Sequence, residues 1–135
     1  MSCIRTGGLA FLVLVFPVTL LGCGRGKPDA PENAAQFGNL RQIHDLYASY
    51  TKNHQQPPKQ FSDLNKKEYD MIYPGTLKVV KDGDYVVVWG VDVNKDPGKV
   101  LAYEKAAPTD GGAVITADGT PRIMSAADVQ AALQK

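Results

Sequence analysis

Residues 85–92, Tyr85-Val86-Val87-Val88-Trp89-Gly90-Val91-Asp92, form the most strand-like stretch of the chain and decide its fold class. β-Branched and aromatic side chains suit a pleated backbone. At a period of two, Tyr85, Val87, Trp89 and Val91 share one face, and Val86, Val88 and Gly90 share the other. Both faces are apolar, so a central strand in a sheet covered at least partly on both sides is expected. Gly90 in mid-strand predicts a bulge or a close backbone approach.

The flanking sequence extends this into a meander. Upstream, Tyr73-Pro74-Gly75 reads as a turn and Thr76–Lys81 as a strand. Asp82-Gly83 then reads as a tight hairpin, which needs residues tolerant of positive φ. Downstream, Lys99–Lys105 is a third strand with Leu101 and Tyr103 on one face, and Ala113–Ala117 a fourth. Asp118-Gly119 makes a second hairpin turn. Thr120–Met124 is a fifth strand, confined by Pro121 to an edge or a strand start. Ser125 caps a final helix with Asp128 three residues later, and Val129 and Leu133 dock it on the sheet.

N-terminal to the sheet the period becomes helical. Phe37, Leu40, Ile43, Tyr47 and Tyr50 recur at spacings of three and four, with Leu46 beside them, over a helix from about Ala34 to Asn53. Asn33 is its expected cap. Pro57-Pro58 stops it and pushes Gln56 to an extended conformation. Ser62 is the expected cap of a short second helix reaching Met71, with Leu64 and either Tyr69 or Met71 facing inward. The fold class expected is α+β: an N-terminal helix packed on a four- or five-stranded antiparallel sheet, closed by a short C-terminal helix. Residues 35–135 make one domain.

Composition agrees with that size. The 135 residues are 44% hydrophobic, enough for one small core and incompatible with a large multidomain enzyme or a wholly disordered chain. Lys+Arg 15 against Asp+Glu 14 lacks the basic excess of a general nucleic-acid binder, and no nucleic-acid partner is expected.

Residues 1–22 read as a secretory leader. Arg5 supplies the positive start, and Gly7–Leu21 carries no charge. The run is shorter than the roughly 18 residues or more of a spanning helix, and Pro17 interrupts it. Leu20-Leu21-Gly22-Cys23 closes it. This tetrad resembles the lipobox of bacterial lipoproteins. The resemblance implies cleavage before Cys23, a diacylglycerol on its thiol and an acylated new N-terminus. It also implies a membrane partner through the lipid, with the outer membrane favoured because Gly24, not Asp, follows the cysteine. Each buried acyl CH₂ contributes roughly 0.8 kcal/mol, so two or three chains anchor durably. Loss of the leader removes Cys3, leaving only Cys23 and so no intrachain disulfide. It also removes Arg5, which equalises the two signs of charge. Residues 23–34 read as a tether, Gly- and Pro-rich and without apolar period from Gly24 to Ala34.

A second resemblance rests on Leu40-Arg41-Gln42-Ile43, Pro57-Pro58, Val100-Leu101-Ala102-Tyr103-Glu104-Lys105, Thr116-Ala117-Asp118-Gly119 and Ser125-Ala126-Ala127-Asp128. In this order the segments resemble the globular part of type II secretion pseudopilins and, more closely, of prepilin-like proteins with an H-x9-DG motif. The resemblance implies a pilin-like domain and a role in protein assembly. The chain departs from the family at Pro108, where the motif has His, and lacks a Gly-Phe-acid processing signal in its apolar segment.

Candidate chemistry is sparse. Asp92, Asn94 and Asp96 alternate as in calcium loops, but Pro97 stands where an EF-hand has Gly, and the same letters make a polar turn. His44 lies mid-helix with no second His at i+4 on its face, and His54 sits at the helix end, so the sequence places no converging partners for a metal pair or a catalytic triad. Thr109-Asp110-Gly111-Gly112 precedes a strand, not the helix a phosphate cradle requires. Trp89 with Tyr47, Tyr50, Tyr69, Tyr73, Tyr85 and Tyr103 either fills the core or lines a carbohydrate or peptide groove. The only site residue expected is Cys23, for lipid attachment. No catalytic residue, cofactor or bound metal is expected. The function read is a non-enzymatic, lipid-anchored envelope protein working through an envelope protein partner, in the manner of a pseudopilin-like component. The alternative is a lipoprotein binding a carbohydrate, a peptide or, weakly, calcium.

Overall fold

The computed structural model describes residues 31–135, with side chains from Ala34 onward. The leader at 1–22, Cys23 and residues 24–30 of the expected tether lie outside the described residues. The fold is α+β, with a four-stranded antiparallel sheet and a short C-terminal helix.

Helix α1 (Pro31–His54) starts upstream of its expected cap, so Asn33 lies within it and the end of the expected tether is helical. Proline suits a helix start because its φ is preset and its missing N–H is not needed there. The stripe read from the sequence is buried: Phe37, Leu40, Ile43, Leu46, Tyr47 and Tyr50. Thr51 is buried with them and donates its hydroxyl to the Tyr47 carbonyl at 3.0 Å, which satisfies it inside the helix.

The single helix expected up to Met71 is two, α2 (Phe61–Leu64) and α3 (Lys67–Ile72), parted at Asn65-Lys66. Ser62 is not a cap: Gln60 precedes α2, and Asp63 accepts the Lys59 N–H at 2.8 Å. Leu64 and Tyr69 face inward, whereas Met71 is exposed.

The strand expected at Thr76–Lys81 is instead helix α4 (Pro74–Asp82). Pro74 presets its first turn. Its inward residues are Thr76, Leu77, Val79 and Val80, a three- and four-residue spacing in place of alternation. Asp82-Gly83 is therefore not a hairpin. Gly83, at φ 81°, ends the helix by donating its N–H to Val80, while the Asp84 N–H reaches Val79.

With that segment helical, the predicted central strand loses its upstream neighbour. The sheet runs β1 (Tyr85–Val87), β2 (Val100–Glu104), β3 (Gly112–Thr116), β4 (Pro121–Met124), paired in chain order. Thus β1 is an edge strand, and only three residues of the 85–92 segment belong to it. Gly90 turns the chain out of the sheet at φ 81° and donates its N–H to the Pro58 carbonyl at 3.0 Å. Both sides of the segment are still covered. Tyr85, Val87 and Val91 join the main core with α1 residues, Leu101, Ala102, Ala113 and Ile115. Val88 packs on a smaller cluster of Val100, Ala107, Val114 and Val129.

Leu101 and Tyr103 do not share a face as alternation predicts. The β2–β3 register shifts between Val100 and Ala102, so Leu101 stays in the main core while Tyr103 packs on the smaller cluster. A short helix the sequence reading did not foresee, α5 (Ala107–Asp110), precedes β3. β4 is the other edge, opening with Pro121. In α6 (Ala126–Leu133), Ser125 is the cap as read: its Oγ accepts the Asp128 N–H at 3.2 Å and donates to the Asp128 carboxylate. Val129 is buried, while Leu133 is largely at the surface.

The Asp118-Gly119 turn forms as expected, with Gly119 at φ 82°. The His44 ring packs on this glycine, so a Cβ there would meet His44 Cε1 at 3.2 Å, whereas one on Gly83 meets nothing within 4 Å. Gly83→Ala should cost about 1–2 kcal/mol, the left-handed backbone penalty alone. Gly119→Ala should cost distinctly more. In a His44→Ala background the two penalties should become equal, read from urea denaturation of the four variants and their parents.

Candidate functional site: an aromatic groove at the sheet edge

Gly83 and Gly90 bracket β1 and leave a groove beside it. Its walls are Val80, Lys81 and Gly83 at the end of α4, Phe61 of α2, and Tyr85, Val86, Val87 and Trp89. The volume is about 390 Å³. Trp89 is half-buried and stacks on Tyr47, with ring centroids 6.5 Å apart and planes at 23°. Tyr47 is fully buried, and its hydroxyl lies 3.5 Å from the Pro58 carbonyl. Burial pushes its phenol up to about 12. Asn39 donates to the Tyr85 hydroxyl at 3.3 Å, which ties the groove's opposite end to α1. The groove thus has a mostly apolar lining, with Lys81 its one charged residue, on a fixed aromatic floor.

The other tyrosines serve packing. Tyr50 and Tyr69 are core residues, and Tyr73 and Tyr103 pack against the core clusters. Of the aromatic set, only Trp89 and Tyr85 line the groove, joined by Phe61. The sequence reading missed Phe61. It sits twenty-odd residues before β1, and only the turn of α4 brings it there.

The 92–98 loop is a polar turn. Asp92 Oδ1 accepts the Asn94 N–H at 3.0 Å, and Oδ2 faces Lys95 Nζ at 3.2 Å. These contacts, the Asn94 amide foremost, hold the Asp92 carboxyl below the usual carboxylate range. Asp96 faces Lys99 at 3.2 Å. Among the described residues, no three His, Cys, Asp or Glu side chains converge on a metal-sized site.

The two histidines lie apart, each tied to backbone. His44 Nε2 is 3.1 Å from the Ala117 carbonyl, and Nδ1 is 3.5 Å from Asp45. His54 stacks on Tyr50, with Nδ1 3.1 Å from that residue's carbonyl. His44 therefore meets the Asp118-Gly119 turn, a contact across most of the chain that no local pattern signals. The turn is further braced by Asp118, which accepts the Thr116 hydroxyl at 2.6 Å and the Thr120 N–H at 3.0 Å. Both bonds, the Thr116 hydroxyl first, depress its carboxyl. Asp110 and Gly111 close α5, their N–H groups bonded to Ala106 and Ala107. The 109–112 segment is thus a helix end and offers no phosphate cradle.

Among the described residues, no helix is long and apolar enough to cross a membrane. Compared with protein-family models, with curated proteins and with solved structures, the chain has no match.

The Tyr47 phenol gives a pH signature. An unfolded tyrosine ionises near 10 and the buried one near 12. The unfolded state therefore loses its proton first, so stability is full below pH 10 and falls as pH rises toward 12. Tyr47→Phe should flatten the urea midpoint across that window, by up to about 1.4 kcal/mol per pH unit. A residual slope of the same sign should remain from Tyr50 and Lys78, whose protons are also held.

Proposed function

We propose that this chain is a lipid-anchored protein of the cell envelope, without enzymatic activity, that works by contacting another envelope protein. The observation that carries the reading is Leu20-Leu21-Gly22-Cys23 at the end of the uncharged Gly7–Leu21 run. Cys23 is the lipid-attachment residue. The outer membrane is its favoured location, since Gly24 is not the retention signal Asp. The apolar leader is removed, so lipid takes over the anchoring that a retained helix gives a pilin.

The finer reading is a pilin-like domain: a long N-terminal helix laid on an antiparallel meander, acting as a pseudopilin-like assembly component. It is supported by the main core, which joins the α1 stripe to Leu101, Ala102, Ala113 and Ile115. The Asp118-Gly119 turn supports it too, with His44 of α1 seated on the turn though Pro108 replaces the motif's histidine. The histidines are engaged in bracing the fold, which suits a non-catalytic role. A second reading, a lipoprotein that binds a small ligand, draws on the Trp89 groove and gains no support from the lysine-paired 92–98 loop.

Expression in a lipoprotein-processing host, beside Cys23→Ala, tests the anchor. The expected result is an intact mass of acylated 23–135 that partitions into detergent, with the variant carrying no lipid. An uncleaved, unlipidated wild-type chain would overturn the anchor and favour residues 7–22 as a retained membrane helix.

A further inference from the structure

The two edges of the sheet are unequal. β4 begins with Pro121, which has no N–H to offer, and carries the exposed cation Arg122, both of which discourage strand addition. β1 carries neither device. Its ladder fixes which backbone groups are free. The Asp84 carbonyl accepts from Lys105 at 3.0 Å and the Val88 N–H donates to Leu101 at 2.8 Å, so positions 84, 86 and 88 face β2. Tyr85 and Val87 therefore aim their N–H and C=O groups away from the sheet. None of these four groups has a hydrogen-bond partner among the described residues. They run along the groove of Phe61, Val80, Val86 and Trp89.

We propose that β1 accepts an extended peptide segment of an envelope partner as a fifth strand. Backbone pairing to Tyr85 and Val87 supplies the register, and alternate apolar side chains of the peptide fill the groove. An acidic side chain of the peptide meets Lys81. That choice of charge follows from the lining: Lys81 is its one charged residue, is exposed, and has no ion-pair partner among the described residues. The groove's lining residues include no carboxylate. A second copy docking through the same groove would set its own lining lysine against Lys81, which disfavours self-association there. The inference rests on the protein-contact role proposed above and is independent of the lipid anchor.

The chain has a single tryptophan, and it lines the groove, so its fluorescence reports occupancy directly. The full chain in detergent is titrated with a blocked synthetic heptapeptide alternating valine and threonine, with aspartate at one end. Companion peptides carry N-methyl groups on alternate amides, or lysine in place of the aspartate. The expected result is a saturable change in Trp89 emission, with amide exchange at Tyr85 and Val87 slowed about tenfold or more. The N-methylated peptide should produce neither effect. Lys81→Glu, a change at an exposed position, should weaken the aspartate peptide about fivefold and reverse the preference toward lysine. Unchanged exchange at Tyr85 and Val87 under saturating peptide would overturn the proposal. So would protection of those amides that rises with protein concentration alone, which would assign the edge to a second copy. A wild-type chain left unlipidated by the processing host that still binds the peptide would sink the anchor and spare this site, whereas a lipidated chain indifferent to the peptide would do the reverse.

Discussion

Tyr47 occupies the point where three parts of the molecule meet. Its ring is fully buried in α1, Trp89 stacks on it, and its hydroxyl approaches the Pro58 carbonyl that also receives the Gly90 N–H. One side chain thus ties the long helix to the Pro-Pro loop and to the segment leaving β1. A phenol this dry stays neutral and keeps its hydroxyl for the backbone it faces. If the ring were shortened, the Trp89 wall and the loop across from it would lose a common support.

The edge position of β1 follows from the same region. Gly83 ends α4 in a left-handed conformation, and Gly90 uses the same freedom to turn the chain away after a few residues. Between them lies a strand too short to be flanked on its outer side, next to apolar walls supplied by α2 and α4. On the far side of the sheet, Val88, Val100, Val114 and Val129 close a second, smaller core under α5 and α6. β3 receives cover on both faces, which is why Ala113, Val114 and Ile115 are all fully buried in sequence. The domain is therefore asymmetric: well closed around β3, open along β1.

The balance of charges points the same way. Lys78 of α4 and Lys95 and Lys99 around the 92–98 loop are matched by aspartates three or four residues off, contacts that mostly arrange exposed side chains and stabilise little. His44 and Asp118 brace the hairpin between β3 and β4 through bonds to backbone and to Thr116. These polar groups are spent on holding turns. The groove brings together backbone groups of Tyr85 and Val87 without partners among the described residues, the unpaired Lys81 and a half-covered Trp89.

Local pattern by itself determined the α1 stripe, the Asp118-Gly119 turn, the Ser125 cap and the assignment of Pro121 to a strand start. Each depends on spacing or on a conformational demand met within a few residues. By the same local criteria 76–81 suits a strand and Asp82-Gly83 a hairpin. Valine-rich letters fit either period, and an Asp-Gly pair ends a helix as readily as it turns a hairpin, because both need only positive φ. Tertiary packing chose between them, since as a helix the segment puts Thr76, Leu77, Val79 and Val80 against the core together. That choice made 85–92 an edge in place of a centre and brought Phe61 beside Trp89. It also set His44 on Gly119, across a separation that no window of sequence spans. The proposed address, Leu20 to Cys23, rests on sequence alone, because a processing signal is read as a linear string. The groove belongs to the tertiary structure alone, because its walls come from three elements that meet only when the core closes.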